Sequence, residues 1–118
     1  MKVTWEALTI EVGDPSASAR WWAETLGWDV VSESSAGVEV RSPDGTGTGL
    51  FFVLTAEPKA EKNRLHLDLH AEDQGATAQR LVERGAERVD VGQSPDAEWI
   101  VLRDPDGHEF CLLEPRNG

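Results

Sequence analysis

A chain of 118 residues with a hydrophobic fraction of 39% and five tryptophans can close a core, which excludes a disordered acidic tail. Its formal net charge of -11 repels phosphate backbones and anionic lipid, so no nucleic-acid or membrane partner is expected. Cys111 is the only cysteine, which excludes an intramolecular disulfide, and residues 1–7 lack the apolar core of an export signal, so the expected compartment is the cytoplasm.

Residues 3–12 alternate, with Glu6, Leu8, Ile10 and Val12 on one face and Trp5, Ala7, Thr9 and Glu11 on the other. The pattern predicts a strand. Gly13-Asp14-Pro15 ends it and opens a helix, with Asp14 as N-cap and Pro15 at the first helical position. That helix runs to about Leu26 with Ala19, Trp22 and Leu26 inward, and Gly27 stops it. Strands are predicted at 28–32, 37–41 and 50–55, with a turn at Ser42-Pro-Asp-Gly45 and a flexible Thr46–Gly49. The charged stretch 57–63 has no periodicity and reads as a linker.

Residues 64–70 alternate without a break, Leu65, Leu67 and Leu69 against His66, Asp68 and His70. Asp73 then caps a helix ending near Arg84, with Ala78, Leu81 and Val82 inward and Gly85 beyond it. Strands at about 87–91, 98–103 and 108–114 follow, with a loop at 92–96 and the turn Asp104-Pro-Asp-Gly107.

The order of elements is the same in both halves. Asp14 matches Asp73, Gly27 matches Gly85, and Arg41-Ser-Pro-Asp-Gly45 matches Arg103-Asp-Pro-Asp-Gly107. The chain therefore reads as an α+β fold of two tandem β-α-β-β-β modules, about 1–56 and 64–115. Each module buries its helix on one sheet face. The expected arrangement pairs the free faces into a cup lined by Trp5, Ala7, Thr9, Glu11, His66, Asp68 and His70. On the last strand Glu109, Cys111 and Leu113 share one face, and alternation alone leaves its direction open.

Gly13-Asp-Pro with Arg20-Trp-Trp-Ala-Glu-Thr-Leu-Gly-Trp28, then Asn63-Arg-Leu-His-Leu-Asp-Leu69, Leu81-Val-Glu-Arg-Gly-Ala86 and Asp104-Pro-Asp-Gly-His-Glu-Phe110, carry a resemblance over nearly the whole chain. They resemble the vicinal oxygen chelate superfamily, the glyoxalase, bleomycin-resistance and extradiol-dioxygenase group, in its small glyoxalase-like variant. The resemblance implies the paired modules, a cup and a homodimer. It also implies a metal held by the first and last strand of each module. Laying Phe110-Cys-Leu-Leu113 on Phe51-Phe-Val-Leu54 maps those positions onto Ala7, Phe52, His66 and Cys111. Ala7 and Phe52 carry no donor, and one imidazole with one thiol falls short of three suitable ligands. The expectation is a chain with no metal and no cofactor.

The polar strand then offers a different chemistry. A carboxylate beside an imidazole fixes its tautomer and suits proton transfer near neutral pH, so His66 and Asp68 are candidate acid/base groups, with Glu11 a third. Ala7, Thr9, His70, Phe52, Glu109 and Cys111 are candidate ligand contacts. Trp5 and Trp99 either stack on a flat ligand or pack in the core. Cys111, in an apolar strand, reads more readily as an inert small hydrophobe than as a nucleophile. Two functions follow. One is a small-molecule binding protein that holds an aromatic or hydrophobic ligand without a metal. The other is a lyase, isomerase or cyclase using His66 and Asp68, or a rearranged metal site.

Overall fold

The structure, a computed structural model, describes residues 1–2, 5–57, 63, 65–89 and 98–114. Packing divides the chain into two compact units, Met1–Pro58 and Lys59–Gly118. Ten elements follow in the order β1 (Ala7–Val12), α1 (Pro15–Leu26), β2 (Asp29–Ser34), β3 (Gly37–Arg41), β4 (Gly49–Leu54), β5 (Leu67–His70), α2 (Gln74–Glu83), β6 (Glu87–Arg88), β7 (Trp99–Arg103) and β8 (Glu109–Leu113). Each unit is thus β-α-β-β-β, the architecture expected from the repeat.

The first sheet has the strand order β1-β4-β3-β2 and the second β5-β8-β7-β6. In both, the first strand runs parallel to the last and the remaining pairs are antiparallel. The parallel pair needs a crossover, and the helix with its following hairpin supplies it.

The helix caps act as their residue types dictate. Asp14 accepts from the Ala17 N–H at 3.1 Å and Asp73 from the Ala76 N–H at 3.0 Å, each satisfying a donor that the helix leaves unpaired. Gly27 ends α1 at φ 69°, in the left-handed region where a side chain is disfavoured. Ala19 and Trp22 face inward as predicted, and Trp22 is 2% exposed with its ring edge-on to Trp21 at 4.9 Å. In α2, Ala78 and Leu81 are buried, but Val82 is exposed. One residue further turns the side chain about 100° away from Leu81, off the inward stripe.

Register separates the two faces of each sheet. Cross-strand rows Leu8–Leu50–Val40 and Ile10–Phe52–Val38 form the buried face of the first sheet, and Val38, Val40, Leu50 and Phe52 are all buried. Rows Leu67–Phe110–Leu102 and Leu69–Leu112–Ile100 form its counterpart in the second, where Leu102, Phe110 and Leu112 are buried.

Two predicted strands begin more than one residue later than expected. β1 opens at Ala7, where its partner begins with Gly49. β5 opens at Leu67 opposite Phe110, and Leu65, predicted on the core side, is exposed. The register would set Leu65 beside His108, at the turn before β8 begins, so it has no strand to pair with. Val3, Thr4, Arg64, most of the linker 57–63, residues 90–91 and the loop 92–96 lie outside the described residues. Among the described residues no helix is long and apolar enough to cross a membrane.

The turn after β3 is tied by Asp44, whose Oδ1 accepts from the Thr46 N–H at 2.9 Å, Ser42 Oγ at 2.7 Å and Thr46 Oγ1 at 2.8 Å. Donation from the Thr46 backbone, then from the Ser42 and Thr46 hydroxyls, lowers the Asp44 carboxyl to about 2 from its ordinary 3.8. The folded value lies below the unfolded one, so this turn's contribution to stability is present above pH 3.8 and fades as pH falls toward about 2. We expect Asp44 to titrate near 2 by carbon-detected NMR, and Ser42→Ala to move it upward. A midpoint at the ordinary value would mean that the turn is not formed as described.

A candidate reactive cluster on the second sheet

Asp68 and Cys111 are neighbours across the parallel β5–β8 pair, and Val101 completes their row. The adjoining row is His70–Leu113–Trp99, and on the other side stand Glu109 and Arg103. All of these side chains leave the sheet on the face opposite Phe110 and Leu112, because alternate residues of a strand point to opposite sides. His66 directly precedes β5 and is two residues from Asp68, which returns it to the same side.

His66 Nδ1 lies 3.0 Å from Asp68 Oδ1, with the two side chains 47% and 50% exposed. The donor atoms of His66, Asp68 and Cys111 all lie within 4.8 Å of one another, and Cys111 itself is 8% exposed. The carboxylate on Nδ1 fixes the ring's orientation and leaves Nε2 to meet a ligand. An oriented imidazole, a carboxylate and a thiol at the edge of a buried surface can exchange a proton, accept a ligand's hydrogen bond or hold a cation.

The other predicted residues of this module have different roles. His70 Nδ1 donates to the Glu114 carbonyl at 2.7 Å, which ties the ring to the end of β8. Glu109 is buried, and its Oε1 accepts from the Asn63 N–H at 3.1 Å while its carbonyl accepts from Asn63 Nδ2 at 3.3 Å. That carboxylate anchors the entry to β5. Trp99 shares the cluster's face and is 42% exposed, in keeping with a stacking surface more than a core side chain.

In the first module, Ala7, Thr9 and Glu11 alternate on the face opposite Leu8 and Ile10, and Thr9 and Glu11 are exposed. Trp5 is exposed ahead of β1. Phe52 requires a correction. It is 0% exposed, in the row between Ile10 and Val38, and so belongs to the core. Asp68 pairs with Cys111 in the second sheet, and the corresponding Thr9 pairs with Phe51 in the first. The counterpart of Cys111 is therefore Phe51, one residue from the predicted match.

A metal held by the first and last strands of both modules does not fit these residues. Ala7 has a methyl group at its position, and the β4 position is a phenyl ring whether Phe51 or Phe52 is counted. The two mapped positions of the first module therefore carry no donor atom. Alternation alone does not group these three residues, since it presents His66 and Asp68 as one strand's polar face and Cys111 on another strand; the resemblance pairs His66 with Cys111 but leaves Asp68 out. The signal that joins them is the parallel pairing of β5 with β8.

The glyoxalase-like domain family matches residues 7–113. Among curated proteins, Glyoxalase 1 of Caenorhabditis elegans is 25% identical over 120 residues, covering 88% of this chain and 40% of that protein. The chain thus spans less than half the length of this relative. Among solved structures, the oxidase ChaP-H2 superposes with a TM-score of 0.68 at 24% identity, covering 100% of this chain and 98% of the other. A glyoxalase/bleomycin resistance protein/dioxygenase family enzyme from Burkholderia phytofirmans superposes with a TM-score of 0.71 at 14% identity, covering 94% and 98%. With the repeated β-α-β-β-β units and the match along nearly its whole length, this chain belongs to the glyoxalase-like domain family.

Proposed function

We propose that this protein binds a small aromatic or hydrophobic molecule with a polar oxygen on the His66–Asp68–Cys111 face of its second sheet. The observation that carries the reading is the 3.0 Å approach of His66 Nδ1 to Asp68 Oδ1, on the face that also holds the half-exposed Trp99. Trp99 supplies a flat apolar surface, and His66 Nε2 supplies a directed hydrogen bond. This reading uses the second module alone and needs no donor from the first.

The same pair favours a second reading, in which the bound molecule is also turned over. A carboxylate that fixes an imidazole's tautomer prepares it to move a proton, the role expected in a lyase, isomerase or cyclase. His66 would take or give the proton at Nε2 and Asp68 would hold the ring.

The test is tryptophan fluorescence during titration with a panel of aromatic carbonyl and hydroxyl compounds, in EDTA. A saturable change is expected for at least one compound. His66→Ala should lower its affinity at least about tenfold, the effect of removing one directed hydrogen bond from a desolvated ligand. Trp99→Phe should remove most of the signal. An unchanged spectrum across the panel, or binding indifferent to His66→Ala, contradicts the reading. Once a converted compound is known, turnover that survives His66→Ala would exclude the second.

A further inference from the structure

We propose that Cys111 is a nucleophile that adds to small conjugated carbonyl compounds, with His66 carrying the proton and Asp68 positioning His66. The inference rests on the proposed reading of the second sheet's His66–Asp68–Cys111 face as a ligand site, and it names the compounds that this face would take. It needs no residue of the first module.

The geometry carries it. A thiol alone in an apolar strand is inert, because the thiolate and not the thiol attacks carbon. Cys111 is not alone. Its sulfur, a ring nitrogen of His66 and a carboxylate oxygen of Asp68 all lie within 4.8 Å of one another. Asp68 holds the ring through Nδ1 at 3.0 Å, so Nε2 is the nitrogen left to take a proton. Nucleophile, base and orienting carboxylate are therefore present together. A separation somewhat beyond hydrogen-bond length is common before a ligand closes such a site. His66 is half-exposed just ahead of β5 and can turn, while Cys111 is fixed in the centre of the β5–β8–β7 row.

The surroundings choose the compound. Cys111 shares its sheet face with Val101, Leu113 and Trp99, so an apolar molecule is favoured over a charged one. Trp99 is the diagonal neighbour of Cys111 across the β7–β8 pair, about 7–8 Å away, a span that a flat ring stacked on the indole bridges. β8 pairs on both sides, so the backbone N–H groups beside Cys111 are committed to the sheet. The strand therefore offers no oxyanion hole at the attacked carbon, which acyl transfer would require. Conjugate addition needs none there, since its negative charge develops on a carbonyl oxygen well away from that carbon, within reach of the His66 N–H.

The step balances without an oxidant or a leaving group. His66 Nε2 takes the thiol proton as the sulfur bonds to the β-carbon. The carbon–carbon π pair shifts to give an enolate. The proton passes from Nε2 to the enolate oxygen and ends on the α-carbon, leaving a thioether with S–H added across the double bond.

The experiment is intact-mass spectrometry of the protein mixed with benzylideneacetone in EDTA and quenched at intervals. A single adduct is expected, heavier by one whole benzylideneacetone, and peptide mapping should place it on Cys111, the only cysteine. Cys111 is 8% exposed, so without assistance it would react more slowly than a free thiol. The limiting rate divided by the half-saturating concentration should instead exceed the rate constant of N-acetylcysteine at least about a hundredfold. Cys111→Ala should form no adduct, and mapping in the parent keeps the test decisive if that variant does not fold. His66→Ala should lower the limiting rate at least about a hundredfold. Asp68→Asn should lower it at least about tenfold with the half-saturating concentration unchanged, a split that a merely structural role would not give. No adduct, an adduct on another residue, a rate no faster than the free thiol, or a rate indifferent to His66→Ala overturns the proposal. Fluorescence titration with benzylacetone, the saturated ketone that lacks the double bond, reads the binding face separately. Saturable quenching without an enone adduct removes the nucleophile alone, and loss of both removes the face as a ligand site.

Discussion

Replacing Trp22 by alanine should leave the first module unfolded or nearly so at room temperature. Trp22 is the largest of the fully buried side chains, 2% exposed on the inward stripe of α1, which packs on β1, β2, β3 and β4. Removing an indole from such a site forfeits its burial and leaves a cavity that its neighbours fill only in part. The cost is about 3–5 kcal/mol, comparable to a small domain's whole stability. Urea unfolding read by far-UV circular dichroism should show the midpoint fall sharply or the transition vanish. Trp22→Phe should fall between, since a phenyl ring fills part of the space. A midpoint within a few tenths molar of the parent would mean that the indole is not packed in the core.

Gly37→Ala should be strongly destabilising for a single added methyl group. Gly37 opens β3 at φ 151°, and an added Cβ would stand 2.7 Å from Phe51 Cζ and 2.7 Å from the Phe52 carbonyl oxygen. The ring can swing aside, but the carbonyl belongs to the β3–β4 pairing and cannot. Backbone strain and overpacking together should cost about 2–4 kcal/mol. Gly45 provides the contrast. It also has a positive φ, 72°, but its Cβ would meet nothing within 4 Å. Gly45→Ala should therefore cost only the left-handed backbone penalty, about 1–2 kcal/mol. Equal midpoints for the two variants would contradict the close approach at Gly37.

Local chemistry makes much of the fold legible in the sequence. Asp14 and Asp73 cap helices because a short carboxylate reaches the first free N–H groups. The order of cap, stripe, stop and turn then exposes the repeat. Strand register is less accessible. From Gly45 to Phe51 is six residues, but from Gly107 to Cys111 only four, so the first turn is two residues longer. Leu50-Phe-Phe-Val-Leu54 is apolar throughout and carries no alternation to show which phenylalanine faces which side. Sequence matching accordingly puts Phe52 on the wrong face. Leu65 fails for a related reason, since its alternation continues past the point where β8 can pair.

The candidate site is legible in pieces. His66 and Asp68 stand out because polar residues interrupt a leucine strand, and two residues along one strand share a face. The resemblance sets Cys111 with His66, and the β5–β8 pairing then brings Asp68 beside Cys111, a residue 43 positions further along the chain. Glu109 and His70 are plausible partners by type, but their hydrogen bonds to Asn63 and to the Glu114 carbonyl assign them to the framework. Such bonds depend on where chain segments meet, which residue type does not encode.

The most direct test of the central claim is NMR shift mapping of labelled protein in EDTA while a quenching compound from the fluorescence panel is added. The account predicts that the largest, saturable shifts fall on His66, Asp68, Cys111 and the Trp99 indole, with the His66 ring Nε2 among them. Shifts confined to other surfaces, with those four unmoved at saturation, would contradict it.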